Sequence, residues 1–215
     1  MANKKRKNIL TVLILLLTVA GSIYFYLPKM LADEVYPLEY ADLIKANATK
    51  YSVDPALVCG VIFQESRFDP NARSSTGARG LMQMITTTAQ TMAEETGYPS
   101  KFNLYDPTTS IEFGTAHLRD LLVRYDGNID YALAAYNLGG GGADALLRSR
   151  GSQAVSSLRY VVNAKHYQTV YATMYATELG LNSSPVQLTE GDVQTKQAEV
   201  RGYFWVQLFQ NIFHF

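Results

Sequence analysis

The chain is 215 residues long and contains a single cysteine, Cys59, so no intrachain disulfide can form. Its three histidines, His117, His166 and His214, stand far apart and follow no metal-ligand spacing. No metal site is expected, and no cofactor. Net charge is absent as well: 19 Lys and Arg balance 19 Asp and Glu. The balance is uneven along the chain, because Lys4, Lys5, Arg6 and Lys7 are consecutive. Without those four the remainder is mildly acidic, which gives a nucleic-acid partner no electrostatic support. Strand alternation, hairpin signals and internal repeats are also missing. With 47% apolar and 18% charged residues, the chain is globular rather than disordered, and an all-α fold is expected.

One long apolar run is present. From Ile9 to Leu27 no charged residue occurs. As a helix this run reaches roughly 28 Å, about one hydrocarbon core. Tyr24 and Tyr26 lie near its outer end, where interfacial aromatics are common, and the basic residues precede it. The expectation is a basic cytoplasmic segment at 1–8, a transmembrane anchor at 9–27 and a linker at 28–36. The following domain would be extracytoplasmic on a single-pass membrane protein. The competing reading is a cleaved signal peptide, with Ala20, Gly21 and Ser22 as a cleavage site. The single cysteine, Cys59, lies far beyond the end of the run, so a lipoprotein anchor is not expected.

The stretch from Asp54 to Gln83 carries the chemistry. Asp54 can accept from free backbone N–H groups, and Pro55 suits the first helical position. Leu57, Val58, Val61 and Ile62 then recur at helical spacing. At about 100° per residue, Glu65 falls in the middle of that apolar arc. Glu is rarely buried unless paired, and burial raises its pKa toward that of a useful proton donor. Glu65 is therefore either a general acid at the floor of a cleft, or a residue that curls out or pairs with Arg67 or Arg73. A polar loop follows, Ser66 to Gly80, too long for a simple turn. Gly77 and Gly80 supply backbone freedom there.

Further helices are expected at Tyr40–Tyr51 and Thr86–Thr96, the latter capped by one of the threonines 86–88. Asp106-Pro107 repeats the start signal of Asp54-Pro55. Ile111, Gly114, Leu118, Leu121, Leu122 and Tyr125 make a stripe that Gly127 closes. Ile129, Leu133 and Tyr136 mark a helix ending at Asn137 and the glycines 139–142. Val155–Tyr175 is a longer helical pattern. The domain is bounded at 37–178, with an extension at 179–215 whose end, GYFWVQLFQNIFHF, either packs on the domain or lies at a membrane interface.

Three pieces in this order carry a family resemblance: Glu65-Ser66 after an apolar helix, Gly80-Leu81-Met82-Gln83 after the loop, and Ala132 to Asn137 (ALAAYN). The chain resembles lytic transglycosylases of the Slt type, glycoside hydrolases with the goose-type lysozyme-like fold. The resemblance runs from Tyr36 to Tyr175. It implies Glu65 as the single acid/base, with Ser74, Met82, Gln83, Tyr136, Asn137 and Tyr160 binding substrate. It also implies peptidoglycan glycan strands as partner, cleaved between MurNAc and GlcNAc to leave a 1,6-anhydro sugar. No second carboxylate belongs to the motif set; Asp69 sits in an Asp-Pro turn. Amide, hydroxyl and aromatic groups suit sugars on their own chemistry. Three departures stand out: Ser156, Ser157 and Leu158 before Tyr160, Leu138-Gly139 after the Tyr-Asn pair, and His117 where a tyrosine is frequent. Alternatives are a water-using muramidase of the same fold, an inert wall-binding scaffold, and a component of cell-wall or secretion machinery with the same chemistry.

Overall fold

The computed structural model describes residues 2–30 and 32–181, with side chains for 9–24, 26–27 and 34–181. The expected extension at 179–215 lies almost wholly outside the described residues. Among those described there is no strand, only two isolated antiparallel bridges, Arg73–Arg79 and Arg79–Met84. Eight helices follow in order: α1 Ala2–Met30, α2 Ala32–Val35, α3 Ala41–Tyr51, α4 Pro55–Ser66, α5 Thr86–Thr96, α6 Pro107–Arg124, α7 Ile129–Ser156 and α8 Arg159–Met174.

The apolar run expected as an anchor is helical within α1, and its large side chains from Ile9 to Leu17 are exposed. Among the described residues no helix is long and apolar enough to cross a membrane.

α4 is the axis of the domain. Asp54 caps it by accepting from the Ala56 N–H at 2.9 Å, with Pro55 in the first turn. Arg67 in left-handed geometry ends it. Ala56 through Phe63 are all buried. The sequence led to one apolar stripe, but this helix is enclosed on every side, as an all-apolar helix must be. α8 is its main partner. Contact is close because Gly60 has no side chain: a Cβ there would lie 2.7 Å from the Ala164 carbonyl oxygen and the Gln168 nitrogen. Gln168 Nε2 donates to Asp54 at 2.7 Å, pinning α8 to the start of α4. The entering chain is tied down by Tyr171 and Tyr175, whose hydroxyls donate to the Pro37 and Tyr36 carbonyls, each at 2.7 Å.

Two cores result. The larger centres on α4 and α8. The smaller joins Met84, Ala89, Met92, Ala93, Leu104, Phe113 and Ala116. Tyr136 packs against both.

Several expectations need correction. No threonine caps α5: the N-cap is Ile85, without a side-chain bond. The chain does not leave the helix for good after Asn137. Gly139 breaks it (φ 71°, ψ 155°), but helix resumes through the remaining glycines, with a second break at Gly151. The helix expected from Val155 is two elements, parted at Ser157–Leu158, with α8 starting at Arg159.

Candidate active site

The polar loop after α4 folds back on itself. Arg79 and Met84 exchange two backbone bonds, each 3.1 Å, and the Gly80 N–H donates to the Ala72 carbonyl at 3.0 Å. Gly80 takes φ 77°, and a Cβ there would fall 1.9 Å from the Leu104 carbonyl oxygen, so only glycine fits. Ser66 fastens this turn to α4, its hydroxyl 2.8 Å from the Leu81 carbonyl and 3.1 Å from that of Ile62. From α6, the Ser110 hydroxyl accepts the Met82 N–H at 3.2 Å. From α7, the Tyr136 hydroxyl donates to the Met82 carbonyl at 2.8 Å. The turn is thus held from three helices.

Between this turn, α4, α6 and α7 lies a cavity of about 550 Å³. Glu65, Ser74, Gln83, Tyr136 and Asn137 all line it. Five expected residues, from four separate stretches of sequence, meet at one cavity. Tyr160 stands behind it on α8, 9% exposed, and its hydroxyl donates to Glu65 Oε1 at 2.6 Å.

Of the residues expected to bind substrate, Tyr160 and Met82 do not line the cavity. Met82 is fully buried, and a Cβ on Gly114 would lie 2.3 Å from its sulfur, so it fills the notch that Gly114 leaves in α6. The methionine that lines the cavity is Met84. His117 and Thr88 line it as well, and neither was expected to bind substrate. No local sequence signal separates Met84 from Met82, because residues 81–83 form a turn with Gln83 at φ 48° rather than a regular element.

The electrostatics centre on Glu65. Burial pushes its pKa up to about 7, against the hydrogen bond from Tyr160, which lowers it. Among the described residues Glu65 joins no ion pair; Arg67 lies over the Phe63 ring instead, 5.7 Å from its centroid. Burial and the Glu65 charge hold both the Tyr136 and Tyr160 phenols well above their ordinary range, so both remain neutral donors. Burial lowers the pKa of His117, opposed by Asp120. The cavity therefore presents a protonatable carboxyl among neutral polar groups near pH 7. Among the described residues no second carboxylate lines it. Asp69 accepts from the Asn71 N–H at 2.8 Å, capping its own turn.

Not every polar group here is available to a ligand. Gln83 Nε2 donates to the Ala72 and Gly80 carbonyls, each at 3.0 Å. Ser74 Oγ sits 2.9 Å from Thr76 Oγ1 and accepts from the Ala78 N–H at 3.0 Å. These two side chains brace the loop while lining the cavity.

Residues 42–158, more than half of the chain, match the model of the transglycosylase SLT domain. A membrane-bound lytic murein transglycosylase C from Yersinia enterocolitica is 33% identical over 143 residues, covering 61% of this chain and 40% of that protein. A soluble lytic murein transglycosylase from Escherichia coli is 34% identical over 127 residues, covering 58% of this chain and 19% of that one. The chain thus spans well under half the length of either relative. Among solved structures, an inactive glutamate-to-glutamine mutant of the lytic transglycosylase Slt from Pseudomonas aeruginosa superposes with a TM-score of 0.62. It is 24% identical, and the match covers 74% of this chain and 27% of that one. That likeness establishes the fold.

Proposed function

The chain belongs to the transglycosylase SLT domain family, and from that membership we propose that it is a peptidoglycan lytic transglycosylase with Glu65 as its single acid/base. The observation that carries the reading is a carboxyl group, pushed by burial to a pKa of about 7, in a groove-like cavity where no second carboxylate stands among the described residues. A proton donor works best with a pKa near the working pH. Most glycosidases need a second carboxylate as nucleophile or base, and substrate-assisted enzymes are among the exceptions. This cavity suits the exception.

In the proposed reaction Glu65 protonates the oxygen between MurNAc and GlcNAc as the C1–O bond breaks. The substrate's N-acetyl oxygen stabilises the cationic C1. Glu65, now a carboxylate, takes the proton of the MurNAc C6 hydroxyl, whose oxygen bonds to C1. The 1,6-anhydro product forms, Glu65 is again protonated, and no water is consumed. Tyr160 holds Glu65 in place and stabilises its carboxylate stage. Ser74, Gln83, Tyr136 and Asn137 contact the glycan from the cavity wall; Met82, buried beneath the turn, supports it without contact.

The same reading keeps the segment at 9–27 as a membrane anchor with the domain outside. Its support is the uncharged run, its exposed apolar side chains in α1 and the basic residues before it. One similar protein is itself called membrane-bound.

Digestion of purified sacculi by the wild type and by Glu65→Gln tests the enzyme reading. Anhydro ends from the wild type alone are expected. Reducing ends would replace the reading with a muramidase, and no ends from the wild type would leave a binding scaffold. Carbonate extraction of membranes from cells expressing the full chain tests the anchor, which predicts retention in the pellet.

A further inference from the structure

We infer that His117 is a further substrate-binding residue, a neutral imidazole that hydrogen-bonds a hydroxyl or acetamido group of the glycan. The inference rests on the reading of the cavity as a glycan site.

Three observations support it. The first is register. Ser110, Gly114 and His117 share one face of α6 at helical spacing. Ser110 holds the Met82 N–H and Gly114 receives the Met82 side chain. One turn further on, the same face has passed the turn and reaches the cavity, where His117 lines the wall. The helix that fixes the turn therefore also fixes the imidazole.

The second is hydrogen-bond accounting. Tyr136 gives its only hydrogen to Met82, Gln83 gives both amide hydrogens to backbone, and Tyr160 serves Glu65. Ser74 is engaged with Thr76 and Ala78. His117 makes no hydrogen bond among the described residues; its recorded contact is with the Tyr136 ring, at 5.4 Å between centroids and 48° between planes. A half-buried imidazole with one donor and one acceptor uncommitted is complementary to a sugar, which offers both. Leaving such groups unpaired once a ligand excludes water costs free energy, so the ligand must meet them.

The third is ring placement. The edge-tilted pair of His117 and Tyr136 keeps the imidazole from rotating away from the cavity, which lowers the ordering cost of binding. Asp120 from its own helix is the charged group that acts on it, Glu65 from α4 lines the same cavity, and Tyr136 from α7 lies against its ring as a neutral phenol. Burial opposes the charged form of His117, so the donor–acceptor pair persists at neutral pH.

The test compares His117→Phe, which keeps a flat ring and loses both nitrogens, with His117→Gln, which keeps a donor and an acceptor. Chitotetraose is the binding probe and peptidoglycan the substrate. Phe is expected to weaken chitotetraose binding about five-fold, one neutral hydrogen bond's worth, while Gln stays within about two-fold. On peptidoglycan the loss should fall on KM rather than kcat. Thermal melts identify a variant that fails to fold. In that case the imidazole nitrogen-15 shifts of the wild type decide, since chitotetraose must move those of His117. Wild-type affinity in the Phe variant, equal losses in both variants, or unmoved shifts would each overturn the inference. A wild type that binds chitotetraose but cleaves nothing would sink the enzyme reading and leave this one standing; one that binds no glycan would end both.

Discussion

The Tyr160 hydroxyl lies 2.6 Å from Glu65 Oε1 and joins the first turn of α8 to the last turn of α4. It acts against burial: desolvation raises the pKa of Glu65 and this bond lowers it. Tyr160→Phe removes only the opposing effect. The pKa of Glu65 then rises further above about 7. On the proposed reading, the basic limb of the pH profile for kcat/KM moves to higher pH by about one unit, since a bond to a charged group is worth roughly that much. A limb that stays in place or moves down would mean that Tyr160 does not stabilise the carboxylate.

Glu65 also links stability to pH, and the sign is opposite to that of a salt-bridged carboxylate. Its unfolded-state value is 4.5 and its folded value about 7. Between those values the native state binds more protons than the unfolded state, so stability falls as pH rises through the window. Glu65→Gln removes the burden of a buried charge. The variant is expected to match the wild type near pH 4 and to be more stable at pH 8, by an amount of order 1–3 kcal/mol. Thermal unfolding of both proteins across that range measures it. A Gln variant that is less stable at pH 8 would mean that the carboxylate is better solvated than its burial implies.

How much of this was legible in the sequence depends on the range of the forces involved. Asp54-Pro55 and Asp106-Pro107 start α4 and α6 because capping acts within three residues. Glu65 could be placed on a buried arc because helical periodicity is local too. The second half of α7 was hidden. Four glycines argue against helix, yet tertiary contacts override them: Ala143 and Val155 are buried, and Asp144 accepts from Arg124 at 2.6 Å and Tyr125 at 2.7 Å. Met82 and Met84 could not be told apart either. Which one faces the cavity depends on Gly80 at φ 77° and Gln83 at φ 48°, backbone states imposed by Leu104 and the bridge to Arg79. The convergence of Ser74, Gln83 and Asn137 on Glu65 was reachable only through family resemblance, because no local rule joins residues so far apart.

Gly80 and Gly77 separate two costs that glycines in turns usually combine. Both have positive φ, 77° and 90°. A Cβ on Gly77 meets nothing within 4 Å, whereas on Gly80 it would lie 1.9 Å from the Leu104 carbonyl oxygen. Gly77→Ala should cost only the backbone strain, about 1 kcal/mol. Gly80→Ala adds a clash with backbone that cannot yield, and should cost roughly 3 kcal/mol or more. Urea midpoints of the two variants make the comparison. Equal losses would show that the turn relaxes freely, and would remove the reason for glycine at 80.

Tyr136 invites a last separation, between its ring and its hydroxyl. The ring packs against both hydrophobic cores, and the hydroxyl donates to the Met82 carbonyl at 2.8 Å. Tyr136→Phe keeps the packing and leaves that carbonyl without its α7 partner. A buried acceptor stripped of its donor costs about 1–3 kcal/mol, so the urea midpoint should fall with no change in slope. Because the turn carries Gln83 and Met84 at the cavity wall, loosening it should also raise KM for glycan more than it lowers kcat. The ring-deleting change Tyr136→Ala should be worse by a further 2 kcal/mol or more, of order the packing lost at the seam. If Phe and Ala prove equally destabilising, the hydroxyl bond rather than the ring is what joins the two cores.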